Sequence, residues 1–440
     1  MPNRIGIRRE SKNRWERRAP LTPKHVLRLV NDYGVDITVQ PSDLRIFPTE
    51  EYSNAGAVID EELNQTDMVI GIKEVPISEL EPRKSYMFFS HTIKGQPHNM
   101  PMLRRMLELN CTLIDYEKIV DENGRRLIFF GWHAGAAGMI DTLWAIGRRL
   151  EWEGVRNPFS SIMKAHEYGS LPEIREHISA IGRLIATYGI PYSIRPFVIG
   201  IAGNGNVSQG AQEMLDLLPV KEVSPKELPT LKKRKDVGTN IYKVVFNEWD
   251  MVEPIDDVKD FELQDYYDHP GKYRSRFMEH VPYMTVLMNC IYWDDRYPRL
   301  LTKGDIMELY SDHRSPKLRV IGDISCDIEG AVEGTVKTTT PEDPIFIYDP
   351  WEDSAIPGWK GTGPTILAVD NLPCEIPKES SEYFGECLKE FIPALSDANL
   401  DRDLDHLDLP EPLLKATIMF KGELTPDFQY LKEPLEEHGK

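Results

Sequence analysis

The chain has 440 residues, 41% of them hydrophobic, which is enough for two or three domains with cores of their own and makes disorder a poor expectation. Lys and Arg number 52 against 71 Asp and Glu, so the net charge of −19 excludes a nonspecific hold on nucleic acid or an anionic membrane, local basic patches aside. The longest apolar runs, such as 286–288 and 345–348, fall far short of the roughly 18 residues of a membrane helix.

The start, MPNRIGIRRESKNRWERR, carries charge where a signal peptide has its apolar segment, so no export is expected. Residues 4–8 read as a strand, 23–33 as a helix opened by Thr22 and Pro23, and 36–40 and 68–72 as strands. The stretches 86–90 and 112–115 continue the series, and strands interleaved with helices favour an α/β domain with a mostly parallel sheet. From 134 to 151, Ala136, Ile140, Leu143, Trp144 and Leu150 recur at helical spacing, long enough to connect two domains. A second α/β unit follows, with a strand at 197–202, a glycine-rich turn, and an amphipathic helix stopped by Pro219. Residues 226–275 are polar and charged and read as an insertion, partly loop. Strand signals return at 285–293, 318–323 and 344–348, and a helix over 380–392 leads into an acidic tail. Cys111, Cys290, Cys326, Cys374 and Cys387 are scattered without CxxC spacing, which argues against a disulfide framework or a zinc site and for a reducing, cytoplasmic setting.

The turn Gly203-x-Gly205-x-x-Ser208 lies between a strand and a helix, the context of a dinucleotide fingerprint. Gly203 permits the tight turn, Gly205 lets the backbone approach a pyrophosphate, and small residues at 208, 210 and 211 let the helix sit close, its amino terminus facing the phosphates. The third glycine is replaced by Ser208, so an ordinary strand–turn–helix stays open as the alternative. About 20 residues on, where an acid would hold the ribose of NAD, stands Ser224, with Glu222 two residues earlier. A neutral hydroxyl near Lys226, Lys232, Lys233, Arg234 and Lys235 suits a 2′-phosphate, so NADP(H) is preferred and NAD(H) stays open; the KKRK run reads equally as a solvated loop.

Three strand ends in the first half carry ionisable groups: Lys73 after MVIGI, His91 after YMFFS and Glu117 after TLIDY. Carboxyl ends of parallel strands converge on one crevice, where a lysine and an imidazole can serve as acid and base; any one of them alone reads first as surface charge, and it is their repetition that points to a site. Arg17 and Arg18, in ERRAPLTP, stand ahead of a helix where a guanidinium can fork onto a carboxylate; a pair of exposed charges is the alternative.

The segments RRESKNRWERRAPLTP, IGIKEVP, FFSHTIKGQ, LIDYEKIVDENGRR, FGWHAGAAGM, GNGNVSQGAQ, DISCDIEGAVE and DNLPCEIP stand in the order found in the alanine dehydrogenase and transhydrogenase-like family, which the chain resembles over roughly residues 4–395. Within that family, YYDHPGKYRSRF and MNCIYWDDRYPRLLT make it most similar to the lysine–2-oxoglutarate reductase half of aminoadipic semialdehyde synthase. Single-function saccharopine dehydrogenases are similar too, but carry a cysteine in the glycine turn where this chain has Asn206-Val207-Ser208.

The resemblance implies a fold of two Rossmann-like α/β domains with parallel sheets, separated by a cleft and joined by long helices. Residues 1–133 would begin the catalytic domain, 134–376 would form the nucleotide domain with an insertion around 226–280, and 377–440 would return to the first. It implies an oxidoreductase that condenses lysine with 2-oxoglutarate to saccharopine, with a saccharopine or alanine dehydrogenase, or a lapsed nucleotide-binding protein, as alternatives. Small molecules would be its partners, with a homo-oligomer left open, and without a second dehydrogenase domain the reductase would work alone. By the same resemblance Lys73 and His91 form the acid–base pair, Arg18 contacts a substrate carboxylate and Glu117 tunes the site. Gly203, Gly205, Asn206, Val207 and Ser208 hold the cofactor with Ser224, while Asp323 and Asp327 lie by the nicotinamide end. Asp141 stands where alanine dehydrogenases have a phosphate-contacting serine.

Overall fold

The structure is a computed structural model that describes residues 2–256, 259–311 and 316–438; residues 257 and 258 of the expected insertion lie outside the described residues. The chain divides into two compact units, 1–130 with 377–440, and 131–376.

In the first unit, β1 (Ile5–Ile7), β2 (Ile37–Val39), β3 (Val58–Ile59), β4 (Met68–Ile70), β5 (Ser85–Phe88) and β6 (Thr112–Asp115) pair in parallel in the order 6-5-4-1-2-3. Residues of β1, β4, β5 and β6 are buried throughout, as expected of apolar runs covered on both faces. The sheet is not wholly parallel: the pair Thr417–Phe420 and Glu423–Leu424 extends it beyond β6 in antiparallel sense, so the carboxyl-terminal segment adds two strands of eight. Helix α1 (Pro23–Tyr33) starts at Thr22 with Pro23 in its first turn and closes at Gly34, whose φ of 65° lets its N–H reach the Leu29 and Val30 carbonyls. Helices α2 (Thr49–Asn54) and α3 (Met100–Glu108) complete its amino-terminal part.

The second unit opens with α4 (Gly131–Trp152), longer at its start than the spacing predicts. Helix α5 (Leu171–Tyr188) was not expected, although Ser170, which accepts from the Glu173 N–H, caps Ile174, Ile178, Ile181 and Ile185 on one buried face. Strand β7 (Phe197–Ala202) runs through the glycine turn into α6 (Asn206–Leu215). Then come β8 (Val220–Glu222) and β9 (Ile241–Phe246), and here the expected insertion needs correction. Strand β9 lies between β7 and β8 inside the sheet, so residues 241–246 are core. Lys243 disguises the strand; its buried ammonium is matched by Asp216 at 3.0 Å and Glu222 at 3.2 Å.

What stands outside the sheet is the hairpin β10 (Val252–Pro254) and β11 (Tyr273–Ser275), with helix Leu263–Asp268 between them. Strands β12 (Val286–Asn289) and β13 (Val320–Asp323) continue the parallel sheet beyond β7. After β14 (Ile345–Asp349) and β15 (Ser354–Pro357) comes β16 (Thr365–Leu367), giving the order 15-14-16-13-12-7-9-8, with β14 and β15 antiparallel. No helix among the described residues is long and apolar enough to cross a membrane.

Candidate active site and nucleotide site

Because β1, β4, β5 and β6 are parallel, the residues after each emerge at one edge of the first sheet. Lys73 follows β4, and burial lowers its ammonium below the usual lysine range; Arg18 and Lys12 push the same way while Glu16 and Glu74 oppose them. A half-buried lysine shifted in this direction is more readily neutral. His91 follows β5 with φ of 49°, and its Nδ1 lies 2.5 Å from Glu74 Oε1. Burial alone would raise the Glu74 carboxyl, but the hydrogen bond and charge of His91, with Lys12 at 3.1 Å, hold it well below the ordinary range.

Arg18 is 2% exposed, and its fork is already engaged: Nε and Nη2 donate to the two oxygens of Glu16 at 2.7 and 2.6 Å. Its guanidinium also lies over the Phe130 ring, 4.4 Å from the centroid. Glu117 pairs with Arg126. Asp115, fully buried and pushed up to about 6 by burial, accepts from the Ser90 N–H at 3.0 Å and the Glu117 N–H at 2.7 Å, so it ties the exits of β5 and β6 together. Lys73, Arg18, Glu16, Glu74 and His91 thus form one charged group, while Glu117 is turned to Arg126. Glu16, Glu74, Asp115 and Arg126 escape a reading of strand ends, although Glu74 adjoins Lys73 and Arg126 ends the NGRR turn. A cavity of about 1300 Å³ opens at the opposite edge of this sheet, by Arg4, Asp67, Lys84 and Thr112, and contains none of these groups.

In the second unit Gly203 has φ of 94°, and a Cβ there would meet Ile291 Cγ2 at 3.0 Å. At Gly205 a Cβ would meet nothing within 4 Å, so the backbone borders open space at the amino terminus of α6, where Asn206 and Val207 begin the helix. Such a terminus favours a phosphate. Ser208 faces inward: it is fully buried and its hydroxyl accepts from Gln212 at 3.0 Å, so its part is to keep the helix close.

Beyond β8, Ser224 Oγ donates to Glu227 Oε2 at 3.0 Å. Ser224 borders a cavity of about 820 Å³ together with Lys226, Trp249, Arg276 and His280. Of the KKRK run, Arg234 pairs with Glu227 at 3.3 Å and Asp236 at 3.5 Å, and none of the four lines the cavity. The cations beside Ser224 are therefore Lys226 and Arg276, the second from the polar segment behind β11. Glu222 also lines the cavity, its charge met by Lys243.

Asp323 ends β13 with its carboxyl filled from within: Asn289 donates at 2.8 Å, Thr335 at 2.6 Å and the Cys326 N–H at 3.2 Å, and burial pushes it up to about 6. That makes it an anchor of the turn in which Asp327 lies exposed. Among the described residues no group of three or more His, Cys, Asp or Glu could hold a metal ion.

Asp141 is fully buried on α4 and accepts from the Ala165 N–H at 2.7 Å; it interacts with the buried Glu375, which has His166 Nδ1 at 3.3 Å, and one oxygen of each carboxyl has no donor among the described residues. Two interacting buried carboxyls that lack other donors favour holding a proton between them. Burial raises both, Glu375 to about 7 and Asp141 well above its usual value, with Lys164 and Glu167 the nearby charges. In the unfolded chain both titrate near about 4, so the fold holds the extra proton at higher pH. The part of that stability carried by Glu375 is complete below about pH 4 and is lost as pH rises through about 7. The thermal midpoint is expected to fall across that window, and Glu375→Gln to flatten the fall; an unchanged slope in the variant would refute the raised titration of Glu375.

Residues 6–137 match the alanine dehydrogenase/PNT N-terminal domain family. The chain is 38% identical to alpha-aminoadipic semialdehyde synthase of Arabidopsis thaliana over 97% of its length and 41% of that protein. To the mitochondrial alpha-aminoadipic semialdehyde synthase of Bos taurus it is 35% identical, over 99% of this chain and 48% of that one. It spans less than half the length of these curated relatives. Saccharopine dehydrogenase (NAD(+), L-lysine-forming) of Yarrowia lipolytica is 27% identical over 88% of this chain and 90% of its own. Among solved structures, an L-alanine dehydrogenase superposes with a TM-score of 0.63 at 18% identity over 98% of this chain and 99% of its own. A transhydrogenase from Sinorhizobium meliloti gives 0.56 at 15% over 96% and 99%. The two sheets and their helices are thus the alanine dehydrogenase fold.

Proposed function

We propose that this chain, homologous along nearly its whole length to alpha-aminoadipic semialdehyde synthase, is the reductase that condenses L-lysine with 2-oxoglutarate to saccharopine using NADPH. The observation that carries the reading is the half-buried Lys73 amine set beside the Glu74–His91 pair at one sheet edge. In the reaction the ε-amine of the substrate lysine loses a proton and adds to the ketone carbon, and the former carbonyl oxygen leaves as water. NADPH, when bound, supplies the hydride that reduces the resulting imine. Lys73 and His91 between them take the proton from the incoming ammonium and give one to the departing hydroxyl, roles that call for groups able to change charge near neutral pH. Glu74 orients the imidazole through Nδ1, leaving Nε2 for the substrate. Arg18, firmly held by Glu16, supplies positive charge for a substrate carboxylate and helps to keep Lys73 neutral.

Oxidation of NADPH with 2-oxoglutarate, in the presence of lysine, ornithine, glutamate or ammonia, tests this. Lysine-dependent oxidation with a product of the mass of saccharopine is expected; oxidation driven by ammonia alone would make the chain an ordinary amino-acid dehydrogenase.

The NADPH preference rests on Ser224, which would not repel a 2′-phosphate, and on Lys226 and Arg276 beside it. Arg276→Ala is expected to raise the Michaelis constant for NADPH roughly ten- to a hundredfold, the cost of a charge-assisted hydrogen bond, and to leave that for NADH nearly alone. Ser224→Asp should move the preference toward NADH. Equal losses with both cofactors would remove Arg276 from phosphate recognition.

A further inference from the structure

Glu10 stands three residues past β1, and its side chain is 3% exposed. Its two oxygens are used on one target: Oε1 accepts the Ile72 N–H at 2.7 Å and Oε2 the Lys73 N–H at 3.1 Å. Strands β1 and β4 are paired through Ile7 and Ile70, and the Arg8 N–H reaches the Ile70 carbonyl at 3.1 Å as the last rung. Past that rung the amides of Ile72 and Lys73 would face this side without an acceptor, and a buried amide needs one. The Glu10 carboxylate takes the place of the missing strand and continues the ladder across the residue that carries the amine.

Two further features are built around this contact. Arg8 Nη1 lies 3.5 Å from Glu10 as its counter-charge. Gly71 leaves the gap in which both side chains lie: a Cβ there would meet Arg8 Cδ at 2.9 Å and Glu10 Oε1 at 3.1 Å. Among the described residues the Lys73 ammonium makes no hydrogen bond, so its place depends on the direction in which its backbone leaves β4. We propose that Glu10 is the positioning residue for Lys73, fixing through the main chain the point from which the amine reaches the substrate. The inference rests on the functional reading above in taking Lys73 as the acid–base group.

The test uses the full chain with Glu10→Gln, which keeps the shape but offers one acceptor instead of two. Turnover is expected to fall roughly ten- to a hundredfold while the Michaelis constant for NADPH changes less than about twofold, the pattern of a displaced catalytic group. Independently of turnover, the rate at which acetic anhydride labels Lys73, scored by peptide mass against exposed Lys233, should change several-fold. If the wild type makes no saccharopine, the functional reading fails and the labelling still decides for or against Glu10. Unchanged labelling, or turnover and cofactor constant lost together, overturns the inference. Should Glu10→Gln not fold, Gly71→Ala carries the test, since its methyl crowds the carboxylate without changing charge. A smaller loss of turnover with altered Lys73 labelling supports the inference, and wild-type labelling overturns it.

Discussion

Lys73→Met and His91→Ala are each expected to lower the turnover of saccharopine formation by about 10²–10⁴, the range for loss of a general acid or base, while NADPH affinity stays within about twofold. The separation follows from the fold: both residues belong to the unit of 1–130, and the glycine turn belongs to that of 131–376. The two variants should differ in their pH profiles. If Lys73 is the member of the pair that accepts the proton, wild-type activity should be lost as pH falls through the lowered pKa of its amine, because protonation removes the base. Lys73→Met abolishes that limb. His91→Ala should keep it but leave the Glu74 carboxyl, at 14% side-chain exposure, without its imidazole partner, so burial pushes Glu74 up and less negative charge faces Lys73. The limb should then move to lower pH, since a lysine loses stabilisation of its charged form. Stopped-flow turnover across pH, paired with cofactor titration by fluorescence, reads both effects. A collapse of NADPH affinity in either variant would take these residues out of the substrate site.

Strands buried on both faces were the most legible part of the chain. Residues 112–115 and 197–202 coincide with β6 and β7: FVIGIA is an unbroken apolar run between Pro196 and Gly203, and TLID shows its apolar pair between a β-branched residue and the buried Asp115. β9 escaped for the opposite reason: IYKVVF carries Lys243 in a charged neighbourhood, and the Asp216 and Glu222 that make its burial tolerable come from other elements. The glycine turn was visible because its chemistry is local. Of the cations at the cavity beside Ser224, Lys226 was legible from its place in the sequence, but Arg276, some fifty residues on, was not, and the nearby KKRK run does not border that space. Arg18 shows a different limit. A guanidinium ahead of a helix reads as available, and only the fold shows Glu16, two residues away, filling its fork. The Asp141–Glu375 pair lies further out of reach, since its meaning depends on burial and on a partner 234 positions away (375 minus 141).

Gly210→Ala and Gly205→Ala should fail in opposite ways. On helix propensity alone, alanine at Gly210 inside α6 would stabilise by about 1 kcal/mol. The packing reverses that sign. A Cβ on Gly210 would overlap the Trp132 carbonyl oxygen and stand 2.8 Å from its carbon and 3.0 Å from the Ala136 nitrogen, while one on Gly135 would strike the Val207 carbonyl in the same manner. These are backbone atoms of α4 and α6, so no side chain can turn aside to make room, and the two helices must part along their length. Overpacking of this kind costs about 1–3 kcal/mol in ordinary cores, and a main-chain clash belongs at the top of that range or beyond. Because α6 also opens at the glycine turn, its displacement should weaken NADPH binding together with stability. Gly205 has φ of −86°, which alanine accepts, and nothing lies within 4 Å of its added methyl. Gly205→Ala should therefore melt like the wild type and still bind NADPH at least tenfold more weakly, as the methyl fills space left for the pyrophosphate. Thermal unfolding and cofactor titration of the two variants separate the roles. If Gly205→Ala binds NADPH normally, the open space beside that residue is not where the phosphates rest.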